Sequence, residues 1–120
     1  MKKNIWITIA GVYGFLGVAL GAFGAHVLKD SLPPEMLEIF KTATYYNLIH
    51  SVAILLIGLL GNEKYFKPAL FFSIGVFLFS FSLYLFALTQ NTLFVIVTPL
   101  GGISLLLGWS LLIWESVKKH

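Results

Sequence analysis

Residues 5–28, IWITIAGVYGFLGVALGAFGAHVL, contain no Asp, Glu, Lys or Arg. A helix rises 1.5 Å per residue and needs about 20 apolar residues to cross the hydrocarbon core of a bilayer, so this run is long enough to span one. Three more runs of the same kind follow, at 43–61, 68–88 and 93–114, and they leave no stretch for a soluble domain. Composition agrees: 58% of the 120 residues are hydrophobic and 11% charged, against about 25% charged in soluble domains. The expected fold is an all-α integral membrane protein, a single domain over 1–120, with four transmembrane helices in a bundle.

Lys2 and Lys3 precede the first run as they would in a secretory signal. The run is longer than the roughly 7–15 residue apolar core of such signals and three spans follow it, so it is read as a retained helix. All eight cations are lysines. With four spans, Lys2, Lys3, Lys64, Lys67, Lys118 and Lys119 share one side of the membrane, and Lys29 and Lys41 lie on the other with Asp30, Glu35 and Glu38. The positive-inside rule then gives a multi-pass cell-membrane protein with both termini cytoplasmic. With no cysteine, disulfides and thiolate metal sites are excluded, and a formal net charge of +3 does not suggest nucleic acid. The bilayer is the expected partner, with a homo-oligomer or another membrane protein left open.

Between the first two runs lies KDSLPPEMLEIFKT (29–42), where the Pro pair suits a helix start and Met36, Leu37 and Phe40 share a face opposite Glu38 and Lys41. A short interfacial helix is expected near 34–42. Only Thr89 to Thr92 separate the last two runs, which predicts a tight antiparallel hairpin. Tyr45, Tyr46, Trp109 and Trp114 fall near span boundaries and read as interfacial anchors.

Small residues stand out on two helices. Gly14, Gly17, Gly21 and Ala25 recur along one face of the first span, with Gly24 beside them, and Gly101, Ser104 and Gly108 along one face of the fourth, with Gly102 adjacent. Lipid gives helices little hydrophobic reason to associate, so close approach through small residues is the usual route to packing. These glycines are read as seams, with the fourth-span stripe a candidate partner for the first, and a narrow solute path as the alternative.

The polar residues define a candidate site. Counted from residue 43, His50 lies about 10 Å into the second span, with Tyr46 and Asn47 as its i−4 and i−3 neighbours. Ser80, Ser82 and Tyr84 on the third span and Thr98 on the fourth fall in the same outer half, and Pro99 withdraws a backbone donor beside Thr98. Polar groups at membrane depth point into the protein, and ionisable ones are functional candidates. The site set is His26, Tyr46, Asn47, His50, Ser82, Tyr84 and Thr98. It is read as a pocket for a small polar or amphipathic solute in the outer leaflet, or else as helix-to-helix hydrogen bonding. His26, at the outer end of the first span, is expected within hydrogen-bond reach of Tyr46, Asn47 or His50. No carboxylate lies inside a span, so no Ser-His-Asp arrangement is credible and the protein reads as non-enzymatic. Two histidines make a poor zinc site and no cofactor is expected, though a haem held between His26 and His50 is a remaining alternative. His120 is terminal and expected to be solvated.

Four segments, GAFGAH (21–26), TATYYNLIH (42–50), FSFSLYLFALT (79–89) and TPLGGISLLLGW (98–109), resemble, in order and over nearly the whole chain, the small membrane family called domain of unknown function 423, or uncharacterised protein family 0382. The resemblance implies a four-span membrane protein with no established activity. It marks Gly21, Gly24, His26, Tyr46, Asn47, His50, Thr98, Pro99 and Gly102. Phe40 stands where the family commonly has Trp, and Asn47 where it commonly has Gln; each substitution keeps the general chemistry.

Overall fold

The computed structural model describes residues 4–118. Four long helices carry the chain: α1 (Ile5–His26), α2 (Pro34–Leu60), α3 (Phe66–Thr89) and α4 (Leu93–Val117), with short 3₁₀ turns at Leu28–Asp30 and Glu63–Tyr65. All four are long and apolar enough to cross a membrane, and no strand occurs among the described residues. Lys2, Lys3, Lys119 and His120 lie outside the described residues.

The ends of the helices follow from their sequences. Asn4 caps α1 by accepting from the Ile7 amide at 3.3 Å, and its amide donates to the Gly58 carbonyl at 2.7 Å, tying the start of α1 to the end of α2. Pro34 opens α2 at a position whose amide would have no intrahelical partner. Gly61, with φ +70°, ends α2 in the left-handed conformation that glycine tolerates best. Gln90, with φ +57°, ends α3 in the same way, and Asn91 caps α4 by accepting from the Leu93 amide at 3.0 Å. These caps make the predicted hairpin. The stretch 34–42 is helical as expected, but it is not a separate interfacial helix. It forms the opening turns of α2, which runs unbroken to Leu60 because nothing between Pro34 and Leu60 interrupts helical hydrogen bonding.

Each helix packs along its neighbour in sequence, most extensively α3 with α4, and no extensive contact joins α1 to α4. Helices 8–10 Å apart in a square bundle would give two similar short axes, whereas here the width is 29 Å and the thickness 19 Å. The bundle is therefore a staggered row with α2 and α3 in the middle. Second neighbours meet through a few side chains: Trp6 of α1 packs on Phe66 of α3, Tyr13 of α1 donates to the Ser73 carbonyl of α3 at 2.7 Å, and Trp109 of α4 reaches α2.

Two apolar clusters form the interior. One, around Ile54, Phe72, Val76 and Leu105, lies toward the end of the molecule that carries both termini. The other, around Leu28, Phe40, Ala43, Tyr84 and Ala87, lies toward the opposite end, where the α3–α4 hairpin turns. Buried Asn47, Ser51 and Ser80 stand between them.

Candidate functional site

Glycine sets the register on which the site depends. A Cβ added at Gly17 would meet Leu48 at 2.6 Å, one at Gly21 would meet Thr44 at 3.0 Å, and one at Gly24 would meet the Phe40 ring at 2.8 Å. The α1–α2 seam thus pairs Gly24 with Phe40 and Gly17 with Leu48, which puts His50 level with the middle of α1 and His26 beside the first turns of α2. The two histidines are about 17 Å apart along the axis, eleven residues of helical rise. Two expectations are corrected. His50 is level with the middle of α1, in a helix that starts nine residues before the run from which its depth is counted. His26 is exposed and, among the described residues, makes no hydrogen bond; it reaches none of Tyr46, Asn47 and His50. The histidine pair required for a haem is not brought together.

His50 is buried and both of its ring nitrogens are occupied. Nδ1 lies 2.8 Å from the Tyr46 carbonyl, and Nε2 lies 3.0 Å from Nε1 of Trp109. An indole N–H only donates and a carbonyl only accepts, so the neutral tautomer protonated on Nδ1 is the one that satisfies both contacts. Aromatic rings from three helices surround it. Tyr46 stacks nearly parallel to the imidazole at 6.0 Å and meets Phe79 at 4.7 Å, while Phe72 lies 5.4 Å from His50 and 4.8 Å from Trp109.

This cluster borders a cleft between α2 and α4, floored by α3. The half on the hairpin side has a volume of about 410 Å³ and is lined by Tyr46, His50, Phe79, Pro99, Gly102 and Trp109, with Ile103, Leu105 and Leu106 completing it. The half on the termini side, about 290 Å³, is lined by Leu56, Ile57, Leu60, Tyr65, Phe72 and Leu112, among others, and Trp109 belongs to both. The His50–Trp109 hydrogen bond joins α2 to α4 at Trp109, the residue the two cavities share. No charged residue lines either half. Among the described residues no three of His, Asp and Glu come close enough to hold a metal ion.

The remaining predicted residues pair off elsewhere. Asn47, one residue from Tyr46 and so about 100° around the helix, turns away from the cleft and donates to the Tyr84 hydroxyl at 3.0 Å. Tyr84 donates on to Thr44 at 3.4 Å, and Ser51 donates to the Asn47 carbonyl at 2.6 Å. The expected convergence of Tyr46, Asn47 and His50 on one direction is therefore corrected to Tyr46 and His50. Ser82 and Thr98 join α3 to α4 at 2.6 Å. Ser80 Oγ is buried with no partner among the described residues.

The glycine seams are corrected in three respects. Gly14 has no atom within 4 Å of an added Cβ and takes no part in a seam. Gly102 meets Phe79 only at ordinary contact, 3.7 Å, and lines the cleft instead. The α4 stripe packs on α3 rather than on α1: Gly101 lies against the backbone of Leu78 and Phe79, Gly108 against Phe72, and Ser104 donates to the Phe71 carbonyl at 2.7 Å. Trp109, which reads in sequence as a boundary anchor, is the site residue that sequence reasoning missed. Its place five residues inside the fourth apolar run, deeper than Trp114, was the available signal.

The model of the family "Protein of unknown function (DUF423)" matches residues 20–102, which include Tyr46, His50, Phe79, Pro99 and Gly102. Among curated proteins, the UPF0382 inner membrane protein YgdD of Escherichia coli K12 is 34% identical over 122 aligned positions, covering 98% of this chain and 93% of its own length. A UPF0382 membrane protein of Haemophilus influenzae is 37% identical, covering 98% and 97%, and one of Staphylococcus epidermidis is 35% identical, covering 96% and 97%. No solved structure matches. With the family model covering more than half of the chain and relatives aligned along nearly all of it, the chain belongs to the DUF423 family of membrane proteins.

Proposed function

We propose that this protein is a non-catalytic membrane protein that holds an uncharged, membrane-soluble ligand in the cleft between α2 and α4. The observation that carries this reading is the cleft bordered by His50: at about 410 Å³ it is within the 300–1,000 Å³ typical of ligand sites, and its lining is aromatic and aliphatic with a single polar edge. Of the small polar or amphipathic solutes expected from the sequence, the amphipathic kind fits this lining. Asn47, Tyr84, Ser82 and Thr98 are engaged with one another and leave few polar groups for a highly polar solute. The same pairing favours a second reading, in which the polar residues serve helix packing or the binding of a membrane partner.

The test is mass spectrometry of the small molecules that co-purify in native-lipid discs, comparing the parent with Gly102→Phe, whose new ring would occupy the cleft. Enrichment of a neutral lipophilic species in the parent and its loss in the variant supports the ligand reading. Identical lipid profiles from two equally folded proteins would favour the packing reading. Cytoplasmic termini are part of the proposal, supported by Lys64, Lys67 and Lys118 on the termini side against Lys29 and Lys41 on the other. Labelling of a cysteine at position 64 from outside intact cells would overturn that orientation.

A further inference from the structure

Resting on the ligand reading above, we infer that the cleft takes a flat, uncharged ring bearing a carbonyl and an alkyl or isoprenoid tail, in chemical terms a lipid-soluble quinone. Three features lead there. Tyr46, Phe79 and Trp109 bring rings from three different helices to one cavity, and aromatic faces and edges recognise another flat π system better than they recognise a flexible chain. His50 and Trp109 spend their ring N–H and nitrogen groups on each other and on the Tyr46 carbonyl. Tyr46, at 37% exposure on the rim of the cleft, has a hydroxyl with no hydrogen-bond partner among the described residues, so one phenolic donor stands free beside the cavity for a ligand's acceptor.

Charge and depth narrow the class. His50 lies level with the middle of α1 and no charged side chain lines either half of the groove, so a phosphate or carboxylate headgroup would be buried there without a counter-ion. A quinone carbonyl carries no such cost. A second cavity of about 290 Å³, which shares Trp109 with the first, is lined by Leu56, Ile57, Leu60 and Leu112, apolar surroundings suited to a tail. Binding alone is inferred, with no electron transfer.

The experiment uses the full chain in phosphatidylcholine nanodiscs with Trp6 and Trp114 replaced by Phe, leaving Trp109 as the only indole. The probe is a decyl-substituted benzoquinone, which quenches indole fluorescence on contact. Saturable quenching of Trp109 is expected, whereas a companion protein keeping only Trp114 shows the linear quenching of quinone dissolved in lipid. Tyr46→Phe should weaken the saturable phase about threefold, the scale of one hydrogen bond in a membrane. Gly102→Phe, or Ile103→Phe should the first fail to fold, should remove it. Linear quenching at Trp109, or saturation untouched by Tyr46→Phe and both filling variants, overturns the inference. A brominated long-chain alcohol, which has no ring, separates the two levels of the claim. If it saturates Trp109 and the quinone does not, the cleft binds lipid chains and the quinone assignment falls alone; if neither saturates, the ligand reading falls with it.

Discussion

The α3–α4 and α1–α2 seams are both built on glycine, yet they differ in what the missing side chain admits. At Gly101 the space is taken by the backbone of Leu78 and Phe79, and two side-chain hydrogen bonds, Ser82 with Thr98 and Ser104 with the Phe71 carbonyl, fasten the same pair of helices. At Gly17 and Gly21 it is taken by the ends of Leu48 and Thr44, which can rotate, and α1 buries only Ala10, Gly17 and Gly24 among its residues. A backbone cannot step aside as a rotamer can. The α3–α4 hairpin is therefore closed against backbone where the α1–α2 seam at Gly17 and Gly21 is closed against side chains, which gives the cleft a fixed wall in α4 and floor in α3.

The largest effect should come from Gly101→Ala. Forcing a methyl group against a packed backbone costs about 1–3 kcal/mol, and here the obstructing atoms belong to a helix that is itself locked. Thermal unfolding in detergent should show a large loss of stability. Gly17→Ala should cost clearly less, since Leu48 can adopt another rotamer. Equal losses at the two sites would break the distinction between the seams. Gly14→Ala sharpens it from the other side: with nothing within 4 Å of the added Cβ, it should leave stability unchanged or raise it slightly, alanine being the better helix former.

Asn47→Ala tests the link between α2 and α3. It removes the 3.0 Å bond to Tyr84 at a fully buried position, and bonds of this kind in membrane proteins average about 0.6 kcal/mol with a maximum near 1.7. Asn47→Gln should recover most of that loss, because the carboxamide donor is retained. A loss as large as that of Gly101→Ala would mean that α2 and α3, rather than the α3–α4 hairpin, hold the molecule together.

The number and approximate limits of the helices were legible because a hydrocarbon core imposes its thickness directly on the chain: the runs 5–28, 68–88 and 93–114 lie close to helices 5–26, 66–89 and 93–117. Which helices touch was much less legible. In water an apolar stripe marks the buried face, but in lipid both faces are apolar, so Phe15 and Phe72 look alike in sequence although the first is 73% exposed and the second fully buried. Small residues did mark close approach, yet they could not say to which helix; the α4 stripe went to α3, its hairpin neighbour, instead of α1. The candidate site suffered most from one boundary. Counting from 43 rather than 34 puts His50 about 10 Å into its span, and reading Trp109 as an anchor at the opposite boundary hides the pairing of the two. The depth of a polar residue is only as good as the helix end from which it is counted.

His26 gives the smallest expected effect and the sharpest separation of stability from function. It is exposed at the end of α1, level with the opening turns of α2 and about 17 Å along the axis from His50, and no side-chain hydrogen bond holds it among the described residues. His26→Ala should therefore change stability in detergent by less than about 0.5 kcal/mol, the usual range for an exposed substitution. It should also leave saturable quenching at Trp109 intact, since nothing connects it to Tyr46 or His50. A loss near 1 kcal/mol would mean that α1 and α2 close on each other more tightly than their seam indicates, bringing the two histidines into the same network. If stability and cleft binding are both unchanged while cells carrying the variant show a phenotype, then the imidazole acts at the membrane surface. That outcome would set the exposed end of α1 apart from the cleft as a second place where this protein meets something else.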